Sequence, residues 1–233
     1  MDIKSKNVVV SGASSGLGSA ISSALVEHGA IVYGLARNLE KLNVLKNVLG
    51  GKFIPMQLDI SAQEDVNTWL QNTFSHNQLP SILINNAGVG GFGKIDELPT
   101  EQWHKMMQVN LNGMYYLTSG IVPLMKQNKQ SSHIINIGSI LGTVGREEGT
   151  AYCTSKFGVQ GFSEALFKEL RYDGIKVTCI NPGSIATDFF KDNGVVANDK
   201  MLQTSDIANT LIHILNTPDN MLIDTVTIRP LIP

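Results

Sequence analysis

The chain has 233 residues, of which 42% are hydrophobic and 16% charged, and its formal net charge is −2. This balance argues against disorder, and the scattered lysines and arginines argue against a nucleic-acid partner. Two cysteines without metal-ligand spacing predict no metal site. The polar start of the chain lacks a signal-peptide pattern, and no apolar run approaches the ~20 residues that span a bilayer. We therefore expect a soluble, cytoplasmic protein with no membrane partner.

Short apolar runs alternate with amphipathic helical patterns along the whole chain. We predict strands over 8–11, 31–35, 53–58, 81–85, 134–137, 176–180 and 222–228. We predict helices over 17–28, 39–49, 61–74, 101–127, 151–172 and 205–215. Strands that alternate with helices of this length predict one α/β domain over 1–233, with a parallel sheet covered on both faces.

Three local features add detail to this pattern. Ser61 and Glu64 have the spacing of a capping box, which predicts that the third helix begins there. Pro123 predicts a kink in the long fourth helix. The polar stretch 184–204 follows the sixth strand, and we expect it to form a substrate loop or a short helical lid.

The first predicted strand runs directly into a glycine-rich turn and then a helix. The turn reads Ser11-Gly12-Ala13-Ser14-Ser15-Gly16-Leu17-Gly18. Glycines there let the turn close tightly and let the backbone approach a pyrophosphate, while the helix N-terminus offers free N–H groups. The pattern favours a dinucleotide site, and the alternative is an ordinary tight turn between a strand and a helix.

No acidic residue follows the second predicted strand, which ends at Leu35-Ala36-Arg37-Asn38. A carboxylate at this point would bind the adenosine ribose hydroxyls and repel a 2′-phosphate. The Arg37 guanidinium can instead pair with a phosphate, and Ser14 offers a further hydroxyl. We therefore predict NADP(H) rather than NAD as cofactor, with a solvated surface arginine as the alternative.

Small and polar residues also follow the third and fourth strands. After the third strand, Asp59 is placed to accept from an adenine amino group while Ile60 packs on the ring. After the fourth, Asn86, Ala87 and Gly88 let the backbone run along a cofactor. Each of these residues is also typical of ordinary turns, so neither segment decides the function by itself.

Tyr152 and Lys156 lie four residues apart on a predicted helix and therefore share a face. A nearby ammonium favours the phenolate and lowers the phenol pKa from its ordinary value of about 10. Such a pair can act as an acid toward a carbonyl or as a base toward an alcohol. Ser139 follows the fifth strand, at the same sheet edge as the glycine turn. The alternative is a chance pair on a helix surface.

Together these motifs resemble the short-chain dehydrogenase/reductase family, in order and spacing, over essentially the whole chain. The matching segments are Ser11-Gly12-x-x-x-Gly16-x-Gly18, Asp59, Asn86-Ala87-Gly88, Asn110, Ser139, Tyr152-x-x-x-Lys156 and Pro182-Gly183. The resemblance implies a Rossmann fold, with a doubly wound seven-stranded parallel sheet and helices on both faces. It also suggests a homodimer or homotetramer, assembled through helices around 106–125 and 152–170.

The resemblance implies a role for each matching residue. Tyr152 would be the catalytic acid/base, Ser139 would hydrogen-bond the substrate oxygen, and Lys156 would bind the nicotinamide ribose and lower the Tyr152 pKa. Asn110 would hold a water that connects Lys156 to solvent. The expected catalytic set is Asn110, Ser139, Tyr152 and Lys156. The expected cofactor-binding set is Gly12, Ser14, Ser15, Gly16, Leu17, Gly18, Arg37, Asp59, Ile60, Asn86, Ala87, Gly88, Tyr152, Lys156, Pro182, Gly183, Ile185 and Thr187.

The substrate pocket is expected between three segments, at 90–92, 140–150 and 184–204. Arg146, Glu147 and Glu148 point to a polar or charged substrate, or else to a solvated loop. Apolar wall is expected from Leu141, Val144, Phe189 and Phe190. The predicted activity is NADPH-dependent reduction of a small-molecule ketone or aldehyde. Alternatives are oxidation of an alcohol and an NADP-sensing protein without catalysis. A nucleotide-sugar epimerase shares the Tyr-x-x-x-Lys pair but needs a larger substrate domain.

Overall fold

The fold is known from a computed structural model that describes residues 1–76, 78–128, 130–187, 189 and 198–232. Its strands form a seven-stranded sheet in the order β3-β2-β1-β4-β5-β6-β7, and every neighbouring pair is parallel. The strands are β1 (Asn7–Ser11), β2 (Ile31–Ala36), β3 (Phe53–Gln57), β4 (Pro80–Asn85), β5 (Ser132–Ile137), β6 (Ile175–Pro182) and β7 (Thr225–Ile228). The predicted fold class is confirmed.

Helices cover both faces of this sheet. They are α1 (Gly16–Glu27), α2 (Leu39–Leu49), α3 (Gln63–Thr73), α4 (Thr100–Met107), α5 (Met114–Lys126), α6 (Thr150–Leu170) and α7 (Thr204–Leu215). Val8 and Val10 of β1 pack with α1, α2 and α7, in a cluster that contains Ile21. Val9 points to the opposite face and packs with α3, α5 and α6, in a cluster that contains Leu117. Alternate strand residues thus serve two cores, which explains why the strands read as continuous apolar runs.

The strand order reverses between β1 and β4, and this reversal positions the site. From β1 the chain builds outward to β2 and β3, and then returns to place β4 on the other side of β1. The connections after β1 and β4 therefore leave in opposite directions and open a crevice at the carboxyl ends of the strands. Such crevices are where ligands bind in open α/β sheets.

The start of α3 differs from the prediction. The helix begins at Gln63 with Ala62 as its N-cap, and no side chain caps it. The predicted capping box of Ser61 and Glu64 is therefore wrong. The Ser61 hydroxyl donates instead to Oδ1 of Asp59 at 2.6 Å, and the Ser61 amide donates to the same oxygen at 2.9 Å. The helix starts one residue too late for Ser61 to be its N-cap, and the serine belongs to the turn that Asp59 stabilises.

The predicted helix over 101–127 is interrupted by a π-helical segment, Gln108–Gly113, that separates α4 from α5. Pro123 lies within α5, so the interruption falls at Asn110 and not at the proline. The last predicted strand is also shorter than expected, because β7 begins at Thr225 and not at residue 222. The predicted loop over 184–204 lies partly outside the described residues, and Phe190 lies wholly outside them.

Candidate active site

The glycine-rich turn after β1 leaves no room for side chains. Gly12 and Gly16 have φ values of +68° and +53°, in the left-handed region that favours glycine. A Cβ on Gly18 would lie 2.1 Å from the carbonyl oxygen of Gly12. A Cβ on Gly12 would lie 2.9 Å from Cα of Ala87. Close backbone packing at the crevice therefore requires glycine at positions 12 and 18, and the left-handed backbone favours it at position 16.

A hydrogen-bond network joins this turn to the loop that follows β4. The Ser11 hydroxyl accepts from the amides of Asn86 and Ala87 at 3.0 and 3.1 Å. The side-chain amide of Asn86 donates to the carbonyl oxygens of Ser11 and Gly12 at 3.0 and 3.3 Å. The two loops on either side of the reversal point are thus fixed against each other, and the crevice between them is preformed.

The N-terminus of α1 is open toward the crevice. Ser15 is its N-cap and makes no side-chain capping bond, and its first turn carries no acidic residue. Free N–H groups and the positive end of the helix dipole therefore face the cleft, which is the environment that binds a phosphate. Together with the three glycines, this geometry fits the pyrophosphate of a dinucleotide.

Arg37 and Asp59 lie at the carboxyl ends of β2 and β3, where the sequence placed the adenosine end. Arg37 is exposed, and its carbonyl oxygen accepts from the Gln57 side chain at 3.1 Å. Burial pushes the pKa of Asp59 upward, but hydrogen bonds from Ser61 and the charge of Arg37 together hold it below its ordinary value. Asp59 is therefore ionised at neutral pH, and Oδ1 is already bound to Ser61.

Tyr152, in the first turn of α6, is buried between two aromatic rings. Its ring centroid lies 5.6 Å from that of Phe92 and 5.7 Å from that of Phe189. Burial raises the Tyr152 pKa to about 12, although the neighbouring Ser139 hydroxyl opposes the increase. The net shift is upward because the desolvation of a buried phenolate dominates. That Lys156 lowers this pKa stays a prediction.

Lys156 lies one turn further along α6 and is also buried. Its ammonium donates to the carbonyl oxygen of Ile137, at the end of β5, at 2.9 Å. Nζ lies 5.8 Å from the centroid of the Tyr152 ring. Burial lowers the Lys156 pKa to about 8. Sequence reasoning missed Ile137, and no signal in the sequence marks it, because only its backbone takes part.

Ser139 is held by two hydrogen bonds at the end of β5. Its amide donates to Oδ1 of Asn181 on β6 at 3.2 Å, and its hydroxyl accepts from the amide of Leu141 at 3.1 Å. The Asn181 side chain donates in turn to Gln160 on α6 at 2.8 Å. Helix α6 and strand β6 therefore fix the position of the serine relative to Tyr152.

Asn110 lies in the π-helical segment and holds it against the loop after β4. Its oxygen accepts from the amide of Val89 at 2.8 Å, and its side-chain amide donates to the Val89 carbonyl at 2.9 Å and to Ser155 Oγ at 3.0 Å. A Cβ on Gly88 would lie 3.4 Å from the Asn110 oxygen and 3.7 Å from Lys156 Nζ. Asn110 and Lys156 thus approach the same glycine, while a water relay between them stays a prediction.

The segment after β6 closes the far end of the crevice. The Gly183 amide donates to the Ile228 carbonyl at 2.7 Å, which anchors the segment to β7. Thr187 lies opposite the glycine turn, and a Cβ on Gly16 would meet its methyl group at 3.4 Å. Ile185 is buried in the apolar cluster that also contains α1. The four predicted residues of this segment therefore face the cleft.

The predicted residues converge on one cleft of about 530 Å³. Every member of the expected cofactor-binding set lines it, and so do Ser139, Phe92, Leu141, Phe189 and Arg146. Asn110 does not line it and lies behind Val109, which does. Val144, Glu147 and Glu148 are exposed and lie outside the described lining. Of the charged segment before α6, only Arg146 is brought to the cleft.

Comparison with known proteins agrees with this geometry. A family model described as short chain dehydrogenase matches residues 6–195. An uncharacterized oxidoreductase of Staphylococcus epidermidis, SERP2049, is 31% identical over 229 residues, or 98% of each chain. A 3-oxoacyl-[acyl-carrier-protein] reductase of Haemophilus influenzae, FabG, is 35% identical over 186 residues, covering 80% of this chain and 76% of the relative.

A solved structure of serine dehydrogenase in its closed form, complexed with NADP+, superposes with a TM-score of 0.90. It is 28% identical, and the match covers 95% of this chain and 93% of the other. The fold and cleft define a nucleotide-binding oxidoreductase architecture. The chain belongs to the short-chain dehydrogenase family, whose members include oxidoreductases.

The described residues show neither a metal site nor a membrane-spanning helix. Among them, no group of three or more histidine, cysteine, aspartate or glutamate side chains is arranged to hold a metal ion. None of the helices in that part of the chain combines the length and the apolar character needed to cross a bilayer.

Proposed function

We propose that this protein is an NADPH-dependent carbonyl reductase in which Tyr152 donates the proton. The observation that carries the proposal is the meeting of Tyr152 and Ser139 at one end of a cleft whose other end fits a dinucleotide. Ser139 and Tyr152 then hold the carbonyl oxygen of the substrate. A bound nicotinamide supplies the hydride, and the chain orients the substrate and stabilises its developing charge.

A protonated Tyr152 fits the role of proton donor in the proposed reduction. Because burial raises its pKa to about 12, the phenol stays protonated at neutral pH and is ready to donate to a developing alkoxide. Oxidation of an alcohol would need the phenolate, which burial disfavours. Lys156, with its ammonium on the Ile137 carbonyl, is placed beside this reaction end to bind the nicotinamide ribose.

NADP(H) is the proposed form of the cofactor. Arg37 lies at the end of β2 in the cleft, and no carboxylate occupies the positions on either side of it. The charge of Arg37 does act on Asp59, but one oxygen of that carboxylate is engaged by Ser61. The NADP+ bound to the serine dehydrogenase relative supports the same preference.

We further propose assembly as a homodimer or homotetramer through α5 and α6. Tyr115 on α5 and Phe157 on α6 are 53% and 47% exposed. Large apolar side chains exposed on neighbouring helices are typical of a symmetric interface.

A carbonyl panel tests the proposed activity. The purified protein is mixed with NADPH and a range of ketones and aldehydes, and NADPH oxidation is followed by its absorbance. Titration of NADPH fluorescence on the same sample reports cofactor binding. Turnover that is lost in Tyr152→Phe while NADPH still binds would support the proposal. Tight NADPH binding with no turnover on any carbonyl would refute it and favour the sensor alternative.

A further inference from the structure

The cleft contains a cation that the proposed reaction does not use. The guanidinium carbon of Arg146 lies 4.4 Å from the centroid of the Phe92 ring, and that ring lies 5.6 Å from the ring of Tyr152. Since the two distances share the Phe92 ring, the guanidinium is no farther than about 10 Å from the ring of the proposed proton donor. Arg146 is therefore within reach of a small substrate that binds at Tyr152.

The backbone holds Arg146 in this position. The Arg146 carbonyl accepts from the Gly149 amide at 3.1 Å, which closes the turn before α6. The Glu148 carbonyl accepts from the Gly93 amide at 2.8 Å, next to Phe92. Glu148 has a φ of 58°, a strained value for a residue other than glycine, and such strain persists only where the surroundings fix it. The segment is therefore tied to the aromatic wall of the pocket.

The cation–π contact with Phe92 leaves the N–H groups of Arg146 available. Such a contact engages the positive charge and not a particular N–H group, so the planar fork of donors can still bind an acceptor. No ion pair among the described residues involves Arg146. Its neighbours Glu147 and Glu148 are exposed and lie outside the described lining of the cleft.

The other charged residues of the described lining are committed elsewhere. Lys156 donates to the Ile137 carbonyl, Arg37 lies at the adenosine end, and Asp59 accepts from Ser61. Arg146 is thus the cation that this lining offers to a substrate. A single guanidinium matches the two oxygens of a carboxylate in a bidentate fork.

We propose that Arg146 forms a carboxylate subsite, so that the preferred substrates are short carbonyl compounds carrying a carboxylate a few bonds from the reacting carbon. This inference rests on the proposed reductase function. It assigns the chemical class of the substrate, while Tyr152 and Ser139 act on the carbonyl oxygen.

The test compares matched substrates and matched variants. Each short keto acid is paired with its own methyl ester, and kcat/KM is measured for both at saturating NADPH. The variants are Arg146→Gln, Arg146→Lys and the control Arg171→Gln. Arg171 is a suitable control because it also stacks on an aromatic ring, 4.8 Å from the Tyr172 centroid, outside the described lining of the cleft.

We expect wild-type protein and Arg171→Gln to prefer an acid over its ester by about tenfold or more. Arg146→Gln should lose that preference through a lower kcat/KM for the acid, with the ester rate unchanged, and Arg146→Lys should keep part of it. Added salt should lower the wild-type rate on the acid and leave the Arg146→Gln rate nearly constant.

The outcomes separate the subsite from the activity on which it rests. Reduction of esters as efficiently as acids would overturn the subsite and leave the reductase function standing. Equal losses on acid and ester in Arg146→Gln would also overturn it, because they would indicate a structural role. If neither acids nor esters are reduced while other ketones or aldehydes are, the subsite is overturned and the reductase function stands. If no carbonyl compound of any kind is reduced, the proposed function itself fails.

Discussion

Because His133 is buried in its neutral form, we expect the folded protein to lose stability in mild acid. His133 lies on β5, the strand that leads to Ser139, and is 1% exposed. The Thr178 hydroxyl donates to the Ile223 carbonyl at 2.6 Å. Because its only hydrogen is used there, its oxygen accepts from Nε2 of His133 at 2.8 Å, and Nε2 must therefore carry a proton. Burial, together with the charges of Lys176 and the N-terminal ammonium, lowers the His133 pKa to about 3. The folded protein therefore holds this imidazole in its neutral form.

The sign and size of the effect follow from linkage. A histidine whose folded pKa lies below its unfolded value of about 6.5 takes up a proton on unfolding. Stability is then lost as the pH falls through 6.5, and the loss continues to about pH 3. Between pH 7.5 and 5.0 the single group removes about 2 kcal/mol from the free energy of unfolding. That is a large share of a typical total of roughly 5–15 kcal/mol.

Urea unfolding at fixed protein concentration, followed by circular dichroism, measures this loss across the pH range. The matched variant is His133→Gln, whose amide can still donate to Thr178 but does not titrate. Its absolute stability can differ, but its free energy of unfolding should vary much less between pH 7.5 and 5.0. Asp59, whose folded pKa is lowered, contributes stability that is lost only below about pH 4, outside this window. An identical pH dependence in both proteins would refute the reasoning.

Four further predictions concern the cleft and the assembly. Tyr152→Phe should lower kcat/KM by roughly a thousandfold or more, with NADPH affinity within about twofold of wild type. Arg37→Asp should shift the ratio of kcat/KM for NADPH over NADH by about a hundredfold toward NADH. Gly18→Ala should abolish measurable NADPH binding in a fluorescence titration, because its Cβ would lie 2.1 Å from a carbonyl oxygen of the turn. Tyr115→Glu should yield a monomer by light scattering after size exclusion.

Each of these has an outcome that contradicts it. Near-normal turnover in Tyr152→Phe would show that Tyr152 does not donate the proton. A wild-type preference for NADH would overturn the role of Arg37. Gly161→Ala is the control for the glycine turn, because a Cβ there meets no atom within 4 Å. Equal losses of NADPH binding in Gly18→Ala and Gly161→Ala would point to a folding defect and contradict the prediction. A wild-type protein that is already monomeric would rule out the interface.

The sequence was informative wherever function depends on local chemistry. Gly12, Gly16 and Gly18 were predicted as a phosphate-binding turn because strand, turn and helix follow one another directly, and glycine proves to be sterically required at positions 12 and 18 and favoured by the backbone at position 16. Tyr152 and Ser139 were predicted to converge because parallel strands bring their carboxyl ends to one edge. These inferences needed only short-range pattern and sheet direction.

What the sequence did not reveal depends on contacts between distant segments. The break at Asn110 requires partners 21 and 45 residues away, at Val89 and Ser155, so helical periodicity alone runs through it. The raised pKa of Tyr152 arises from burial, and the rings that contact it, Phe92 and Phe189, lie far from it in the sequence. Likewise, nothing in the order Arg146-Glu147-Glu148 indicates that the arginine, although exposed like its neighbours, contacts Phe92 and lines the cleft.

The proposed catalytic groups and the proposed substrate-binding arginine are held by different parts of the fold. Gly138 lies between Ile137, whose carbonyl binds Lys156, and Ser139. A Cβ on Gly138 would lie 2.1 Å from the Asn181 oxygen that accepts from the Ser139 amide. The reacting groups are thus fixed by β5, β6 and α6, elements whose geometry tolerates little change. Arg146 lies on a connecting segment, and its contact with the site passes through an aromatic ring. Substitutions at Arg146 should therefore alter which carbonyl compounds are accepted without altering the proton transfer. Wild-type and Arg146→Gln protein should then show the same pH profile for ester reduction, because Tyr152 transfers the proton in both.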